Sequence, residues 1–141
     1  MMTDRPQDLR VRDVMRKTVK TLGRNDQLSL ADDVMNAVRV RHLPVLDEDG
    51  QLCGILSQRD MFRGALAQAL GYGTAAQQKM LSMLRVKEVM TTEVVTTRPD
   101  ATLAEAATIM IERKIGCLPV IDGDRLVGIL TESDFVALAG R

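Results

Sequence analysis

The chain repeats itself once, and this internal repeat constrains the fold more than any other feature of the sequence. When the sequence is aligned with itself so that Val14 falls on Val89, a series of identical residues follows. The second copy then lacks one residue in a turn, and beyond that turn the match continues with Leu52 on Leu126. Because two copies are too few for a solenoid, we predict two similar units related by a pseudo-two-fold axis.

The most specific repeated stretch is Gly-Ile-Leu-Ser/Thr-x-x-Asp, which runs from Gly54 to Asp60 and again from Gly128 to Asp134. Its aliphatic pair suits a buried strand, and its hydroxyl residue starts a polar run that leads into a helical pattern. The first backbone N–H groups of a helix lack internal partners and carry partial positive charge, so such a junction can hold an anionic or polar ligand. Ser/Thr-x-x-Asp is also a helix-capping pattern, and both interpretations remain open at this point.

Each copy is predicted to contain a strand, a helix, two paired strands and a second helix, which gives an α/β (α+β) fold. Short strands are expected at 18–22 and 93–97, each after a helical turn, and Asp-Gly turns are expected between the paired strands. Thr102 and Glu105 form a capping box, whereas Asp26 or Ser29 is the expected cap in the first copy. Met80, Leu81 and Leu84 have the spacing of a short connecting helix. The residues expected to be buried are Leu43, Val45, Ile55, Leu56, Leu118, Val120, Ile129 and Leu130.

The composition excludes several classes of protein. Hydrophobic residues make up 45% of the 141 residues, which is enough for a packed core, and 19 basic residues balance 19 acidic ones. A neutral chain with 2% aromatic residues is a poor candidate for nucleic-acid binding. No apolar run is long enough for a membrane span and no signal peptide is visible, so a cytoplasmic location is expected. Cys53 and Cys117 have no metal-ligand spacing, and we interpret both as small buried hydrophobic residues.

These repeated motifs together resemble the CBS domain in its tandem form, the Bateman module. The resemblance runs from about Val11 to Leu138 and depends on Val-Met, Leu-Pro-Val and the Gly-Ile-Leu-Ser/Thr-x-x-Asp motif, each present twice. It implies a stand-alone module with one repeat over 8–70, a helical connector over 71–85 and a second repeat over 86–141. It also implies regulatory binding of AMP, ADP, ATP or a related adenosyl ligand between the repeats, where Asp holds the ribose hydroxyls and Ser/Thr helps to hold phosphate.

Carried over by motif position, the resemblance implies two crossed clefts, each combining an Asp motif with the first-strand and pre-Leu-Pro segments of the other repeat. Solvent exposure is the alternative for Lys20 and Arg41, and packing is the alternative for His42. Cleft A is predicted to contain Arg16, Val19, Lys20, Val40, Arg41, His42, Pro44, Thr131, Ser133 and Asp134. Cleft B is predicted to contain Ser57, Arg59, Asp60, Thr91, Val94, Val95, Ile115, Gly116, Cys117 and Pro119. Cleft A has more basic residues and is favoured for a phosphorylated ligand.

A ligand-binding regulatory module is therefore the leading function, and a structural or dimerisation protein with empty clefts is the alternative. An enzyme is not expected, because the sequence has one histidine and no repeated acid pair. No cofactor or metal is required by this interpretation, and an effector protein is a possible partner. A homodimer is expected, formed through helix faces predicted to expose Val14, Met15, Met61, Val89, Met90 and Phe135.

Overall fold

The computed structural model describes residues 8–68 and 74–140 of the chain and shows two compact units. Unit 1 combines the residues up to Val19 with those from Val95 onward, and unit 2 comprises Lys20–Val94. The helices and strands, in chain order, are α1 (Val11–Val14), β1 (Leu22–Gly23), α2 (Leu28–Val38), β2 (His42–Leu46), β3 (Leu52–Ser57), α3 (Gln58–Gln68), α4 (Thr74–Met83), α5 (Val86–Val89), α6 (Leu103–Arg113), β4 (Cys117–Asp122), β5 (Arg125–Thr131) and α7 (Glu132–Ala139).

Each unit is built around an antiparallel hairpin. In unit 2, β2 pairs with β3, and the short strand β1 lies parallel to β2 on its other side. In unit 1, β4 and β5 form a two-stranded sheet. Gly50 and Gly123 occupy the hairpin turns with φ angles of +79° and +63°, a region that glycine enters without steric cost. The predicted Asp-Gly turns are therefore confirmed.

Aliphatic side chains fill a separate core in each unit, as the low aromatic content predicts. Seven of the eight residues expected to be buried are buried, and Ile55 is half-buried on β3. Full burial of one such side chain contributes roughly 1.5–3 kcal/mol. The buried core of unit 2 comprises Leu22, Leu28, Ala31, Met35, Leu43, Val45, Leu56, Met61, Leu81 and Val86, and that of unit 1 comprises Val11, Leu103, Ala106, Met110, Leu118, Val120 and Leu130.

The two units do not follow the order of the repeats, because each receives a segment from the other copy. The segment around Val11 bonds to unit 1, where Val11 N–H donates to Ala101 O at 2.8 Å and Leu103 N–H donates to Leu9 O at 3.0 Å. The equivalent segment around Val86 bonds to unit 2 in the same way, with Val86 N–H donating to Asp26 O at 2.8 Å. The internal repeat divides the chain at the connector, whereas the compact units divide it after Val19 and after Val94. The boundaries at 70 and 86 describe the repeats and remain predictions.

The repeated glycine and the repeated Val-Met pair are explained by this exchange. A Cβ atom built on Gly128 would lie 2.5 Å from Met15 Sδ and 3.0 Å from Arg16 O, and one on Gly54 would lie 2.5 Å from Met90 Sδ. Each unit thus contains an exchanged segment, around Met15 in unit 1 and around Met90 in unit 2. That segment crosses the hairpin at the glycine, where the strand has no side chain. The sequence marked both residues as repeated but did not show that they touch.

This packing contradicts the predicted apolar interface patch. Met61 is fully buried, and the other five residues of that patch are half-buried and packed against the two cores. The residues were predicted to lie on exposed helix faces, whereas the short helices α1 and α5 cover the hairpins, and Met61 of α3 and Phe135 of α7 pack against the cores of their own units. The large apolar side chains that are exposed in the described residues are Leu30, Val38, Met83, Ile111 and Val136.

The short first strands are weaker than predicted. Only Leu22 and Gly23 pair in the first copy, and in the second copy Thr97 forms a single bridge with Val120. Before Thr97 the backbone bends, with Val94 N–H donating to Thr92 O at 3.0 Å, so the residues from 93 to 96 do not pair with β4. The strands predicted over 18–22 and 93–97 were therefore wrong in extent.

The helix ends follow the capping chemistry only in part. Thr102 Oγ1 accepts from Glu105 N–H at 3.0 Å, which confirms the predicted capping box of α6. The N-cap of α2 is Gln27, because the Asp26 carboxylate is engaged by Gly23 N–H at 2.7 Å. Neither Asp26 nor Ser29 is therefore the cap.

The connector helix is present as α4, with Leu81 buried in the core of unit 2, whereas residues 69–73 of the predicted helix end and connector lie outside the described residues. No helix in the described parts of the chain combines the length and apolar character needed to cross a membrane.

Candidate ligand-binding site

In unit 1 the strand-to-helix junction is formed by Thr131, at the end of β5, and Asp134, in the first turn of α7. Asp134 Oδ2 accepts from Thr131 N–H at 2.9 Å and from the Thr131 hydroxyl at 3.2 Å. Thr131 Oγ1 also lies 2.8 Å from Ser133 Oγ. Asp134 is 9% exposed, and its carboxylate closes the helix start in the manner of a capping box. The capping role that the sequence left open is thus present at this junction.

The exchanged segment brings a cation to the same junction. Arg16 pairs with Ile129 through two backbone hydrogen bonds of 2.9 and 3.0 Å, which place its side chain over the end of β5. Its Nε donates to Asp134 Oδ1 at 3.3 Å, and one of its terminal nitrogens lies 3.5 Å from Ser133 Oγ. Both carboxylate oxygens of Asp134 therefore have partners. Because the Arg16 side chain is half exposed, we assign this ion pair about 0.2–1 kcal/mol.

The equivalent junction of unit 2 is bonded differently. Ser57 Oγ, at the end of β3, accepts from Asp60 N–H at 3.0 Å, so here the hydroxyl and not the carboxylate makes the cap bond. The Asp60 side chain has no hydrogen bond or ion pair within the described chain. Thr91 occupies the backbone position that Arg16 has in unit 1, paired with Ile55 through two hydrogen bonds of 2.9 Å. Asp60 is half-buried, and its oxygens are available to a ligand.

The segment before each Leu-Pro lies beside the junction of its own unit. Gln58 N–H donates to Arg41 O at 2.8 Å, and Glu132 N–H donates to Gly116 O at 3.1 Å. In the strand register, His42 faces Ser57 in the same way that Cys117 faces Thr131. Backbone carbonyls thus occupy part of the first helical turn at both junctions.

The predicted clefts draw their residues from both units, and those crossed ligand sets remain predictions. From cleft A, the structure brings together Arg16, Thr131, Ser133 and Asp134 in unit 1, where Val19 also belongs. The remaining members of cleft A, which are Lys20, Val40, Arg41, His42 and Pro44, belong to unit 2. From cleft B, unit 2 contains Ser57, Arg59, Asp60, Thr91 and Val94, and unit 1 contains Val95, Ile115, Gly116, Cys117 and Pro119.

The two cysteines differ more than the sequence suggested. Cys117 is buried, and burial raises the pKa of its thiol to about 12. Cys53 is only half-buried, so its interpretation as a buried hydrophobic residue is wrong in degree, although burial is also the main cause that raises the pKa of its thiol. Within the described residues, no cluster of three or more His, Cys, Asp or Glu side chains could hold a metal ion.

The family model of the CBS domain matches residues 11–66 and 86–140, which is most of the chain. The protein belongs to the CBS domain family. A CBS domain-containing protein of Dictyostelium discoideum is 32% identical over 129 residues, which cover 91% of this chain and 89% of that protein. The homoserine O-acetyltransferase of Methanohalophilus mahii is 33% identical over 135 residues, but the chain spans only 25% of its length.

Solved structures of CBS domain pairs share this fold. A Vibrio cholerae protein described as an acetoin utilization protein, AcuB, is 39% identical, with a TM-score of 0.78 and coverage of 93% of this chain and 90% of that one. The CBS domain pair of protein MJ0100, in complex with 5′-methylthioadenosine and S-adenosyl-L-methionine, is 29% identical, with a TM-score of 0.77 and coverage of 94% and 96%. The mixed α/β fold with two CBS repeats is therefore shown.

Proposed function

We propose that this CBS pair is a regulatory module that binds an adenosyl ligand at its strand-to-helix junctions, with Asp60 and Asp134 as ribose ligands. The observation that supports it most directly is the Asp60 carboxylate, which lies in the first turn of α3 without a partner among the described residues. A carboxylate can accept from both vicinal hydroxyls of a ribose, and the helix N-terminus favours a phosphate nearby. The MJ0100 pair, with two adenosyl ligands in its complex, supports the same ligand class.

Regulation requires that the ligand bind two conformations of the module with different affinity. AMP, ADP, ATP and related adenosyl compounds are the candidate ligands, and the ligand sets of clefts A and B remain the proposed contacts. We propose a binding function without catalysis and without a required cofactor, in the cytoplasm, acting on an effector protein. The homoserine O-acetyltransferase match does not favour catalysis, because the chain spans only 25% of that enzyme.

The ligand class is tested by a thermal-shift panel of AMP, ADP, ATP, NAD and S-adenosylmethionine. A ligand at about 100 times its dissociation constant should stabilise the protein by roughly 2.7 kcal/mol. A flat panel would favour the alternative, a structural protein with empty clefts.

The proposed ribose ligands are tested by calorimetry on Asp60→Ala and Asp134→Ala. Asp60→Ala should lower affinity at least about tenfold and leave stability nearly unchanged, because its carboxylate makes no bond to a described residue. Asp134→Ala should also cost about 1 kcal/mol of stability, since it removes the bond to Thr131 N–H. Asp124→Ala, in the exposed turn between β4 and β5, is the matched control. Unchanged affinity in both junction variants would rule out the site assignment.

We further propose that the module forms a homodimer through α6 and α7 of unit 1. An open groove of about 560 Å³ lies there, with Met110, Ile111 and Phe135 among its lining residues. Lys114 and Glu132 flank the groove, so two copies related by a two-fold axis can set opposite charges against each other. Ile111 is 76% exposed beside the other apolar residues of the groove, so a partner copy that covers it would remove apolar surface from water.

Light scattering on Ile111→Asp tests this surface, with Met83→Asp on α4 as an exposed apolar control. Loss of the dimer in the first variant only is the expected result. A wild-type monomer at tens of micromolar would contradict the proposal.

A further inference from the structure

The two strand-to-helix junctions carry an arginine at different positions. Arg16 of the exchanged segment in unit 1 corresponds to Thr91 in unit 2, in the alignment that sets Val14 on Val89. On the helix the order is reversed, since Arg59 in unit 2 corresponds to Ser133 in unit 1. At these two aligned positions each junction thus has one arginine and one short hydroxyl residue, with their places exchanged.

This change of position decides whether the carboxylate is occupied. Arg16 reaches Asp134 from the exchanged segment, with its Nε 3.3 Å from Oδ1, and it also contacts Ser133. Arg59 lies on α3 itself, is exposed, and forms no ion pair with a described residue. Thr91 is too short and has no charge with which to replace it. Asp134 is consequently held by a cation in the free protein, whereas Asp60 has no cation among the described residues.

We propose that Arg16 determines the ligand specificity of the unit 1 junction and restricts it to phosphorylated nucleosides; this inference rests on the proposed function. A ribose that binds Asp134 competes with Arg16 for Oδ1. An uncharged nucleoside leaves the displaced guanidinium without an anion, and the half-exposed side chain of Arg16 then loses the Asp134 carboxylate as its partner. A nucleoside phosphate supplies a new acceptor, and arginine binds phosphate through geometrically matched N–H donors.

The unit 2 junction has no such restriction. Its Asp60 oxygens are available before any ligand arrives, so the ribose does not have to displace a side chain. Arg59 can turn toward a phosphate when one is present. Because Arg59 forms no ion pair with Asp60, the binding of an uncharged adenosyl compound does not cost Arg59 a partner. The structure therefore assigns a discriminating junction to unit 1 and a permissive one to unit 2.

The test measures adenosine and AMP binding by calorimetry in an Asp60→Asn background, which removes the charge and one of the two ribose-accepting oxygens of unit 2. Asp60→Asn should fold normally, because that carboxylate has no hydrogen bond among the described residues. This variant should bind AMP at least about tenfold more tightly than adenosine. Adding Arg16→Gln should lower AMP affinity at least about tenfold and raise adenosine affinity about twofold to fivefold, since the ribose no longer displaces an ion pair. Arg16→Lys should keep part of the preference for AMP.

Lys17→Gln in the same background is the control, because it removes the neighbouring exposed charge, which forms no ion pair with the described residues. It should preserve the preference for AMP. If Arg16→Gln lowers the affinities for both ligands equally, or changes neither, the specificity role is overturned. If Asp60→Asn abolishes all binding that the wild type shows, the unit 1 junction does not bind the ligand and the inference fails, while the proposed function stands for the Asp60 junction alone. A wild type that binds none of the adenosyl ligands overturns the proposed function itself.

Discussion

Replacement of Gly128 by alanine tests the exchange of segments that organises unit 1. The added Cβ would meet Met15 Sδ at 2.5 Å, Met15 Cγ at 3.0 Å and Arg16 O at 3.0 Å. The Met15 side chain can turn away, but Arg16 O is fixed by its bond to Ile129 N–H at 3.0 Å. The alanine must therefore push the backbone of the exchanged segment away from β5.

The cost can be worked from these contacts. Overpacking of a core by one methyl group costs about 1–3 kcal/mol. Weakening the two backbone bonds between Arg16 and Ile129 adds about 0.5–1.5 kcal/mol for each bond that is lost. We expect a total of about 2–4 kcal/mol, which for a chain of this length lowers Tm by roughly 6–15 °C.

Urea and thermal unfolding of Gly128→Ala provide the measurement, and Gly140→Ala provides the control. A Cβ on Gly140 meets its nearest atoms at 3.6 Å, an ordinary contact, so that variant should unfold within about 0.5 kcal/mol of wild type. Adding Met15→Ala to Gly128→Ala should recover only part of the loss, because the backbone obstacle remains. If Gly128→Ala is as stable as Gly140→Ala, the close crossing of the segment over β5 is wrong.

Two further predictions concern single residues elsewhere. Arg39 and Lys114 end α2 and α6 with φ angles of +56° and +55°, so Arg39→Gly and Lys114→Gly should each stabilise by about 0.5–1 kcal/mol in urea unfolding, whereas alanine at either position should give no gain. Burial raises the pKa of the Cys117 thiol from 9.0 to about 12, so the unfolded chain loses this proton first and stability should fall as pH rises from 9 toward 12, by at most roughly 1.4 kcal/mol per pH unit. Cys117→Ala should show a shallower decline over that range in urea unfolding at fixed pH values, and an equal decline would contradict the burial of the thiol.

The fold could be predicted from the sequence because its determinants are local or repeated. The Asp-Gly turns, the Thr102 cap and the periodicity of α6 each depend on residues close to one another in the chain. The cap of α2 could not be predicted, because the Asp26 carboxylate can accept from Gly23 N–H or from a helical N–H, and the sequence does not show that it accepts from Gly23. The predicted interface was wrong for a related reason. Met61 is buried in the core of unit 2 by residues distant in the chain, which the sequence around it does not show.

The candidate site was predicted as a set of residue types, and its bonding was not. Arg16, Ser133 and Asp134 were placed in one cleft by motif position, and the structure brings them within hydrogen-bonding distance. The difference between an occupied Asp134 and an unoccupied Asp60 depends on which segment carries the arginine. The sequence shows that Arg16 corresponds to Thr91. This difference predicts an ion pair with Asp134 only once the segment that contains Arg16 is known to lie against β5.

The exchange of segments also has a consequence for the order in which the chain can fold. In unit 2 the exchanged segment bonds back over 60 residues, from Arg85 to Asn25, whereas in unit 1 the equivalent bond, from Arg10 to Asp100, spans 90 residues. Closing a longer loop costs more entropy, and contacts of long sequence separation slow folding. During synthesis, all of unit 2 has emerged once Val94 has left the ribosome. Val11 and Met15 cannot be buried until β5 has been synthesised, so their apolar side chains stay exposed for longer. Unit 1, with the occupied Asp134, is therefore the last part of the molecule to be completed.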